Sequence, residues 1–198
     1  VGAGLGGGVG EVGGGGAVWG GAVAGGADAV GADAGGDDAG SPGERVFEEV
    51  DGVVAIEAEH FVDNDDNGTP RSWTLTTSDM DPMVDPDADP SHAESASGGA
   101  YLEGLPETRQ THDDELIGGT NFFGSPGDGP TLTYRVVFNT TGTYYVWVRA
   151  YSTGGEDNGI LAGIDGSWPG TGERLQFCSG KNQWTWSSAQ RDSGGSAC

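Results

Sequence analysis

Hydrophobic and polar residues alternate more regularly along residues 131–151 than anywhere else in the chain. Two apolar sets recur at every second position: Leu132, Tyr134, Val136 and Phe138, then Tyr144, Val146, Val148 and Ala150. Period two with β-branched and aromatic residues is typical of strands. The intervening Asn139-Thr140-Thr141-Gly142 has turn composition. The pattern predicts a β-hairpin with one core face, and its other face carries Tyr145, Trp147, Arg149 and Tyr151.

Shorter strand-like segments precede and follow this predicted hairpin. We expect strands within 53–61, 72–77, 100–103, 159–164, 174–178 and 183–189, with a turn at Asp165-Gly166. Gly, Pro, Asn and Asp are frequent between them, and no segment has helical periodicity. Many short strands separated by turn residues favour an all-β fold, which we interpret as an antiparallel β-sandwich or jelly roll.

The first 44 residues have a different composition from the remainder. Residues 1–43 contain 19 of the 40 glycines and no Lys or Arg. A segment that can bury so little apolar surface does not offset its backbone entropy. We therefore predict a disordered Gly/Ala-rich segment or linker over residues 1–44, followed by one folded domain over 45–198. A second hypothesis is that residues 1–44 are translated from G-rich DNA in a wrong reading frame.

The charge of the chain restricts its partners. The 198 residues include 31 Asp and Glu against 8 Lys and Arg, which gives a formal net charge of −23. Nucleic acid and anionic membrane surfaces are poor partners, because both require a basic footprint. No apolar run approaches the roughly 18 residues of a membrane span. Divalent cations and neutral ligands are the partners that this composition favours.

Four features follow one another along residues 46–191. They are Ile56-Glu57-Ala58-Glu59-His60-Phe61, the predicted hairpin, Gly163-Ile164-Asp165-Gly166-Ser167-Trp168 and Gln183-Trp184-Thr185-Trp186. In this order they resemble the motifs of family 6 carbohydrate-binding modules, which have a galactose-binding-like sandwich fold. The closer likeness is to the C-terminal domain of family 115 glycoside hydrolases and to related domains of marine polysaccharide-degrading proteins.

The resemblance implies a non-catalytic polysaccharide-binding module. Such a module would be covalently linked to a catalytic domain and would be secreted, at the cell surface or in the periplasm. Similar domains continue into one or two further strands, so we expect this sequence to lack the closing strands. The alternative is a structural or adhesive sandwich that supports a neighbouring glycoside hydrolase domain.

Four aromatic residues are candidates for sugar stacking, because a pyranose presents an apolar face to an aromatic ring. They are Tyr101, Trp168, Trp184 and Trp186, at strand ends or beside turns. The resemblance matches Tyr101 and either Trp184 or Trp186 to two aromatics that enclose a sugar. Glu156 and Asn158 are weaker candidates for hydroxyl contacts. The competing interpretation is that these rings are core residues, as we expect for Tyr134, Tyr144 and Trp147.

Glu57 and Glu59 are the candidate metal ligands. Residues two apart on a strand point the same way, so the two carboxylates would repel each other unless a cation lay between them. The resemblance implies a structural Ca²⁺ there, and the alternative is two exposed acids on an edge strand. The segment 63–68, Asp-Asn-Asp-Asp-Asn-Gly, resembles a calcium loop, but Thr74 stands where the loop requires Glu, so we interpret it as a polar turn.

Two further points complete the sequence picture. Cys178 and Cys198 are the two cysteines of the chain. In a secreted protein they would form a disulfide, although two free thiols remain an alternative. The acids show no spacing that singles out a glycosidase pair, so we expect no catalysis by this domain. Because the chain is acidic, we expect its glycan to be neutral or weakly charged.

Overall fold

The described part of this computed structural model is all-β, as the sequence predicts. It comprises residues 8–15, 18–25, 46–80, 83–87, 90–111, 113–123, 125–153, 159–168, 175–176 and 180–189, with backbone alone in the first two ranges. Besides strands it contains two short 3-10 helices, Ala93–Ser95 and Ser97–Gly99. No helix in these residues is long and apolar enough to cross a membrane.

Twelve strands are assigned in the described residues. They are β1 Gly8–Gly15, β2 Val18–Gly25, β3 Val46–Glu48, β4 Val53–Ile56, β5 Asp63–Asp65, β6 Ser72–Thr77, β7 Ala100–Leu105, β8 Thr131–Val137, β9 Tyr145–Tyr151, β10 Gly159–Ile164, β11 Leu175–Gln176 and β12 Thr185–Ser187. The first sheet has the order β11-β10-β1-β8-β3, and β5 also pairs with β8. The second sheet has the order β12-β9-β2-β7-β6, and β4 also pairs with β2.

One apolar cluster draws its side chains from both sheets. The first sheet contributes Phe47, Leu132, Tyr134, Val136, Ile160 and Leu175, and the second contributes Val54, Trp73, Leu102, Val148 and Ala150. Trp73 is buried here, and its indole N–H donates a 3.0 Å hydrogen bond to the carbonyl of Pro130. Burial of these large side chains from water is the main force that holds the two sheets in contact.

The predicted hairpin over residues 131–151 is wrong in its pairing. Its two strands exist, but β8 lies in the first sheet and β9 in the second, and they share no ladder. The alternation itself is confirmed, because Leu132, Val136 and Val148 are buried in the shared cluster. The residues between the two strands therefore connect one sheet to the other rather than forming a tight turn within one sheet.

Residues 8–15 and 18–25 of the glycine-rich segment, for which the sequence predicts disorder or a linker, form strands β1 and β2. β1 pairs antiparallel with both β8 and β10. β2 pairs with β4, β7 and β9. The composition argument considered only the burial of side chains, whereas these strands gain backbone hydrogen bonds from neighbours on two sides. The other residues of 1–44 lie outside the described part of the chain.

A two-residue turn follows β10, as the sequence predicts. Asp165 and Gly166 have positive φ of 50° and 70°, which the type I′ turn requires at both central positions. The backbone N–H groups of Ile164 and Ser167 each donate to the other residue's carbonyl, at 2.8 and 2.9 Å. The turn places Trp168 beside the end of β10.

Candidate functional site

The side of the second sheet that faces away from the shared core carries a row of aromatic residues on β9. Val148 and Ala150 point into the core, so the alternate residues of the strand project from the opposite face. Tyr145 and Trp147 are 59% and 41% exposed on that face. Trp147 is therefore exposed on the outer face and is not a core residue, which corrects the expectation from sequence.

Trp186 of β12 extends this row onto the neighbouring strand. It lies directly opposite Arg149 in the antiparallel register of β12 and β9. Residues directly opposite in such a pair project from the same face of the sheet. Trp186 is 44% exposed, so its ring is accessible. We call Tyr145, Trp147 and Trp186 the aromatic face.

Trp184, just before β12, packs beside the aromatic face rather than pointing freely into solvent. Its ring makes edge contacts with Tyr101 and Tyr151, with both centroid distances 5.8 Å. The Arg149 guanidinium carbon lies 5.2 Å from the centre of the Trp184 ring. The indole N–H donates a 3.1 Å hydrogen bond to Ser95 Oγ. These contacts fix the ring, and leave it half-buried.

Tyr101 lies beneath Trp184 and is only 1% exposed, so it is not itself a sugar platform. Its hydroxyl donates to Glu103 Oε2 at 3.3 Å and accepts from the backbone N–H of His92 at 3.3 Å. Burial, and then the negative charge of Glu103, raise the pKa of Tyr101 to about 12. The phenol is therefore neutral at ordinary pH. Segment 91–95, which contains both His92 and Ser95, covers the ring of Tyr101, which the sequence suggested as a sugar-stacking residue.

His92 and Tyr151 form a stacked pair at the same place. Their ring centroids are 3.6 Å apart, with 17° between the planes. Because Tyr151 also contacts Trp184, the pair connects the segment 91–95 to β9. This support immobilises the side chains below the aromatic face, which lowers the entropy that binding would cost.

Trp168 lies in a different environment from the other predicted platforms. A Cβ added at Gly163 would fall 2.9 Å from the Trp168 ring, and one at Gly127 would fall 2.9 Å from its indole nitrogen. The ring therefore lies tightly against the backbone of both glycines. This contact indicates that Trp168 packs the end of β10, and the described contacts do not bring it together with Trp184.

Glu57 and Glu59 do not lie on a strand, which corrects the sequence prediction. β4 ends at Ile56, and the N–H of His60 donates 3.1 Å to the carbonyl of Glu57 to form a turn. The side chains nevertheless approach one place. Glu57 Oε1 accepts a 3.4 Å hydrogen bond from Ser97 Oγ, and Glu59 Oε1 lies 3.7 Å from the Cβ position of Gly98.

The Oε2 atoms of Glu57 and Glu59 are both buried. Glu57 Oε2 accepts no hydrogen bond, although it is shielded from solvent. Oε2 of Glu59 is shielded to the same degree. A buried carboxylate oxygen with no donor costs free energy, so the site around Glu57 is suited to a cation. In the described residues no third His, Cys, Asp or Glu joins the pair.

The calcium-like segment 63–68 begins as strand β5, Asp63–Asp65, and continues into a turn. Asp65 Oδ1 accepts from the N–H of Asn67 at 2.8 Å, and Asp66 Oδ1 accepts from the N–H of Gly68 at 2.7 Å. Both carboxylates therefore cap local backbone groups. Four other predicted residues, Glu156, Asn158, Cys178 and Cys198, lie outside the described residues, so the hydroxyl contacts and the disulfide stay predictions.

Two exposed aromatics, Tyr145 and Trp147, were missed as site residues. The signal was present, because the alternation along β9 placed them opposite the core set. The sequence pattern does not show which segments of the chain cover which aromatic rings. Segment 91–95 contacts Tyr101 and Trp184, whereas Trp147 keeps 41% of its surface exposed.

One curated protein is similar to most of this chain. It is an uncharacterized protein called P23 from Formosa agariphila, 48% identical over 146 residues. The match covers 74% of this chain and 35% of P23, so the chain spans about a third of the relative that it matches. No family model and no solved structure matches the chain.

Proposed function

We propose that this chain is a non-catalytic polysaccharide-binding module that binds sugar on the aromatic face. The single observation that supports this most is the exposure of Tyr145, Trp147 and Trp186 on one side of a regular sheet. Along β9 the alternate residues are about 6.6 Å apart, and β12 is about 4.8 Å away. Rings at this spacing on a rigid sheet suit the apolar faces of successive sugars in an extended chain.

The proposed architecture is a β-sandwich of the galactose-binding-like type. Its support is the single apolar cluster shared by the two sheets, with β8 and β9 contributing from opposite sides. The order of motifs that resembles family 6 carbohydrate-binding modules supports the same architecture. In this proposal the binding face is the outer surface of the second sheet.

The proposal includes a larger parent protein. P23 is nearly three times as long as the region that it shares with this chain, which leaves room for a linked catalytic domain. A module that holds polysaccharide for such a domain would act outside the cell, at its surface or in the periplasm. A disulfide between Cys178 and Cys198 would suit those compartments.

We further propose that Glu57 and Glu59 hold a structural Ca²⁺. The support is the convergence of two carboxylates at segment 97–98 and the buried Glu57 Oε2 that accepts no hydrogen bond. Calcium takes six to eight oxygen ligands, so carboxylates that lack donors suit it. The cation would neutralise the paired charge and fasten the turn after β4.

A second candidate function is a structural or adhesive domain that supports a neighbour. One specific observation favours it: Leu116, Ile117 and Phe122 are large apolar residues, all about half exposed. Their loop is ordered by the Ile117 carbonyl, which accepts from the N–H groups of Thr120, Asn121 and Phe122 at 3.0–3.2 Å. We call these three residues the apolar loop.

Affinity electrophoresis separates the two candidates. Native protein is run through gels that contain plant or algal polysaccharides, and retardation relative to a blank gel measures binding. For a polysaccharide-binding module, Trp147→Ala and Trp186→Ala should each reduce retardation strongly. Phe122→Ala in the apolar loop is the matched control, because it also removes a half-exposed ring, and it should leave retardation unchanged.

Two results would contradict the proposal. If no polysaccharide retards the wild-type protein, the proposed binding function is wrong, and the result favours a structural or adhesive domain. If polysaccharide does retard it but Trp147→Ala and Trp186→Ala bind as the wild type does, then the aromatic face is not the site. A melting curve for each variant shows whether a loss of retardation reflects unfolding.

A further inference from the structure

Arg149 has an unusual environment for a cation in this chain. Acidic residues outnumber Lys and Arg by 31 to 8. Within the part of the chain that the structure describes, Arg149 nevertheless makes no hydrogen bond and no ion pair with a carboxylate. Its guanidinium carbon instead lies 5.2 Å from the centre of the Trp184 ring. The hydrogen-bond donors of its guanidinium are therefore available to a ligand.

Arg149 lies beside the aromatic face, where its hydrogen-bond donors could contact a bound sugar. It lies directly opposite Trp186 in the register of β12 and β9. Trp147 precedes it by two residues on the same face of β9. A guanidinium that lies against a tryptophan ring is also held in place by cation–π attraction, so ordering it on binding costs little. Arg149 thus holds a fixed positive charge beside the aromatic face.

We propose that the glycan bound by the aromatic face carries an oxyanion, either a carboxylate or a sulfate ester, and that Arg149 recognises it. This inference rests on the proposed polysaccharide-binding function. A guanidinium presents a planar fork of N–H donors that matches two oxygens of a carboxylate or sulfate. Stacking on Trp147 or Trp186 would hold the sugar ring, and Arg149 would select the charged sugar over a neutral one.

The net charge of −23 argues for a neutral ligand, but it acts at longer range than Arg149. At physiological ionic strength, charges separated by more than about 8 Å are largely screened. The acids spread over the rest of the molecule therefore slow the approach of an anionic chain more than they weaken a direct contact. A hydrogen bond from Arg149 forms inside that distance, so the local group decides which sugar is preferred.

Matched polymer pairs test the inference by affinity electrophoresis. One pair is polygalacturonate and its methyl ester, which differ in the carboxylate charge. The other is carrageenan and its desulfated form, which differ in the sulfate. Wild-type protein should be retarded at least about tenfold more strongly, in apparent affinity, by one charged form than by its neutral partner, since hydrogen bonds to charged groups contribute most. The pair that shows the difference identifies the anion.

Three variants assign the selectivity to the side chain. Arg149→Gln should remove the preference for the charged polymer and leave the weaker binding to its neutral partner. Arg149→Lys keeps the charge but not the fork, so it should retain only part of the preference. Arg135→Gln is the matched control, because Arg135 is an exposed arginine on β8 of the other sheet, and it should bind as the wild type does.

The outcomes distinguish this inference from the proposed function. If charged and neutral forms retard the wild type equally, or if Arg149→Gln keeps the preference, the inference is overturned while polysaccharide binding stands. If none of the four polymers nor any of the wider panel retards the protein, both are overturned. If Arg149→Gln does not fold, two measurements remain: the binding of charged and neutral polymers by the wild type, and the same comparison for Arg149→Lys. If Arg149→Lys keeps the full preference for the charged polymer, the role of the planar guanidinium donors is overturned.

Discussion

The phenol of Tyr134 donates a 2.9 Å hydrogen bond to the carbonyl oxygen of Ala58, 76 residues away in the chain. Tyr134 belongs to β8 in the first sheet, whereas Ala58 lies in the turn that follows β4 of the second. Burial, and then the Glu59 carboxylate, raise the pKa of Tyr134 well above its ordinary value. The phenol therefore stays protonated, and this bond connects the two sheets across the core.

Tyr134→Phe should lower the free energy of unfolding by about 1–3 kcal/mol, because it leaves the buried Ala58 carbonyl without its donor. Urea denaturation followed by tryptophan fluorescence measures the change. Tyr145→Phe removes the same hydroxyl from an exposed ring and should shift stability by no more than about 0.5 kcal/mol. Equal effects of the two substitutions would contradict the role of the Tyr134 bond.

Glu49 should make the fold sensitive to acid. Its carboxylate accepts hydrogen bonds from the N–H of Gly52 at 2.8 Å, the N–H of Thr140 at 2.6 Å and the hydroxyl of Tyr144 at 3.0 Å. Burial alone would raise the pKa of Glu49, but these donors outweigh it and hold the pKa below the ordinary 4.5. The ionised carboxylate thus fastens the segment after β3 to the connection between β8 and β9.

The sign of the pH effect follows from the lowered pKa. A group whose pKa is depressed on folding stabilises the fold above its unfolded pKa, and this contribution is lost as pH falls through the folded value. Melting temperatures should therefore decrease below pH 4.5, and Glu49→Gln should reduce the part of the decrease that Glu49 causes. Glu115→Gln, at an exposed loop position, is the control. An unchanged acid profile for Glu49→Gln would rule this role out.

The sequence predicted which residues of the 131–151 segment face the core but not which strands they pair with. Alternation is a local property, so it identified Leu132 and Val148 as buried. Pairing depends on partners far along the chain, here β1 for β8 and β2 for β9. Those partners were assigned to disorder because glycine carries no side-chain signal, and two adjacent strands were then read as a hairpin.

The candidate site was predicted in part for a similar reason. The sequence indicated that aromatic residues near 101, 184 and 186 matter, and the structure brings Tyr101 and Trp184 into contact. Which ring is exposed depends on the residues that cover it. Trp186 is 44% exposed, whereas Tyr101 is 1% exposed because it lies under a segment whose path no local pattern predicts.

Gly180 should be essential for the position of Trp184. Its φ is +73°, and a Cβ at this position would collide with the side chain of Thr185, which donates a 3.0 Å hydrogen bond to the Gly180 carbonyl. Gly180→Ala therefore combines backbone strain with a clash beside Trp184. It should destabilise the protein and alter tryptophan fluorescence.

Gly166→Ala is the matched control for the strain alone. Gly166 has a similar φ of +70°, and no atom lies within 4 Å of its Cβ position. A residue other than glycine in this conformation costs roughly 1–2 kcal/mol. We expect Gly180→Ala to exceed that cost in urea denaturation. Costs of equal size would show that Thr185 moves aside freely and that the contact does not position β12.

Calcium should raise the melting temperature of the protein. Glu57 Oε2 is buried and accepts no hydrogen bond, and the Glu59 carboxylate approaches the same 3-10 turn as Glu57. A cation that binds the folded state alone stabilises it by mass action, by about 2.7 kcal/mol at a concentration of 100 Kd. The shift should be larger with Ca²⁺ than with Mg²⁺, which demands octahedral geometry and gives up its water reluctantly.

Two variants connect the calcium effect to the site. Glu57→Gln removes the charge at nearly constant shape, so it should abolish the rise in melting temperature on addition of Ca²⁺. It should also relieve part of the repulsion between the carboxylates, so in chelator this variant should melt no lower than the wild type. Glu94→Gln, an exposed acid in the neighbouring 3-10 helix Ala93–Ser95, should keep the full calcium response. A wild-type melt that is the same in millimolar Ca²⁺ and in chelator would show that this pair of carboxylates holds no calcium.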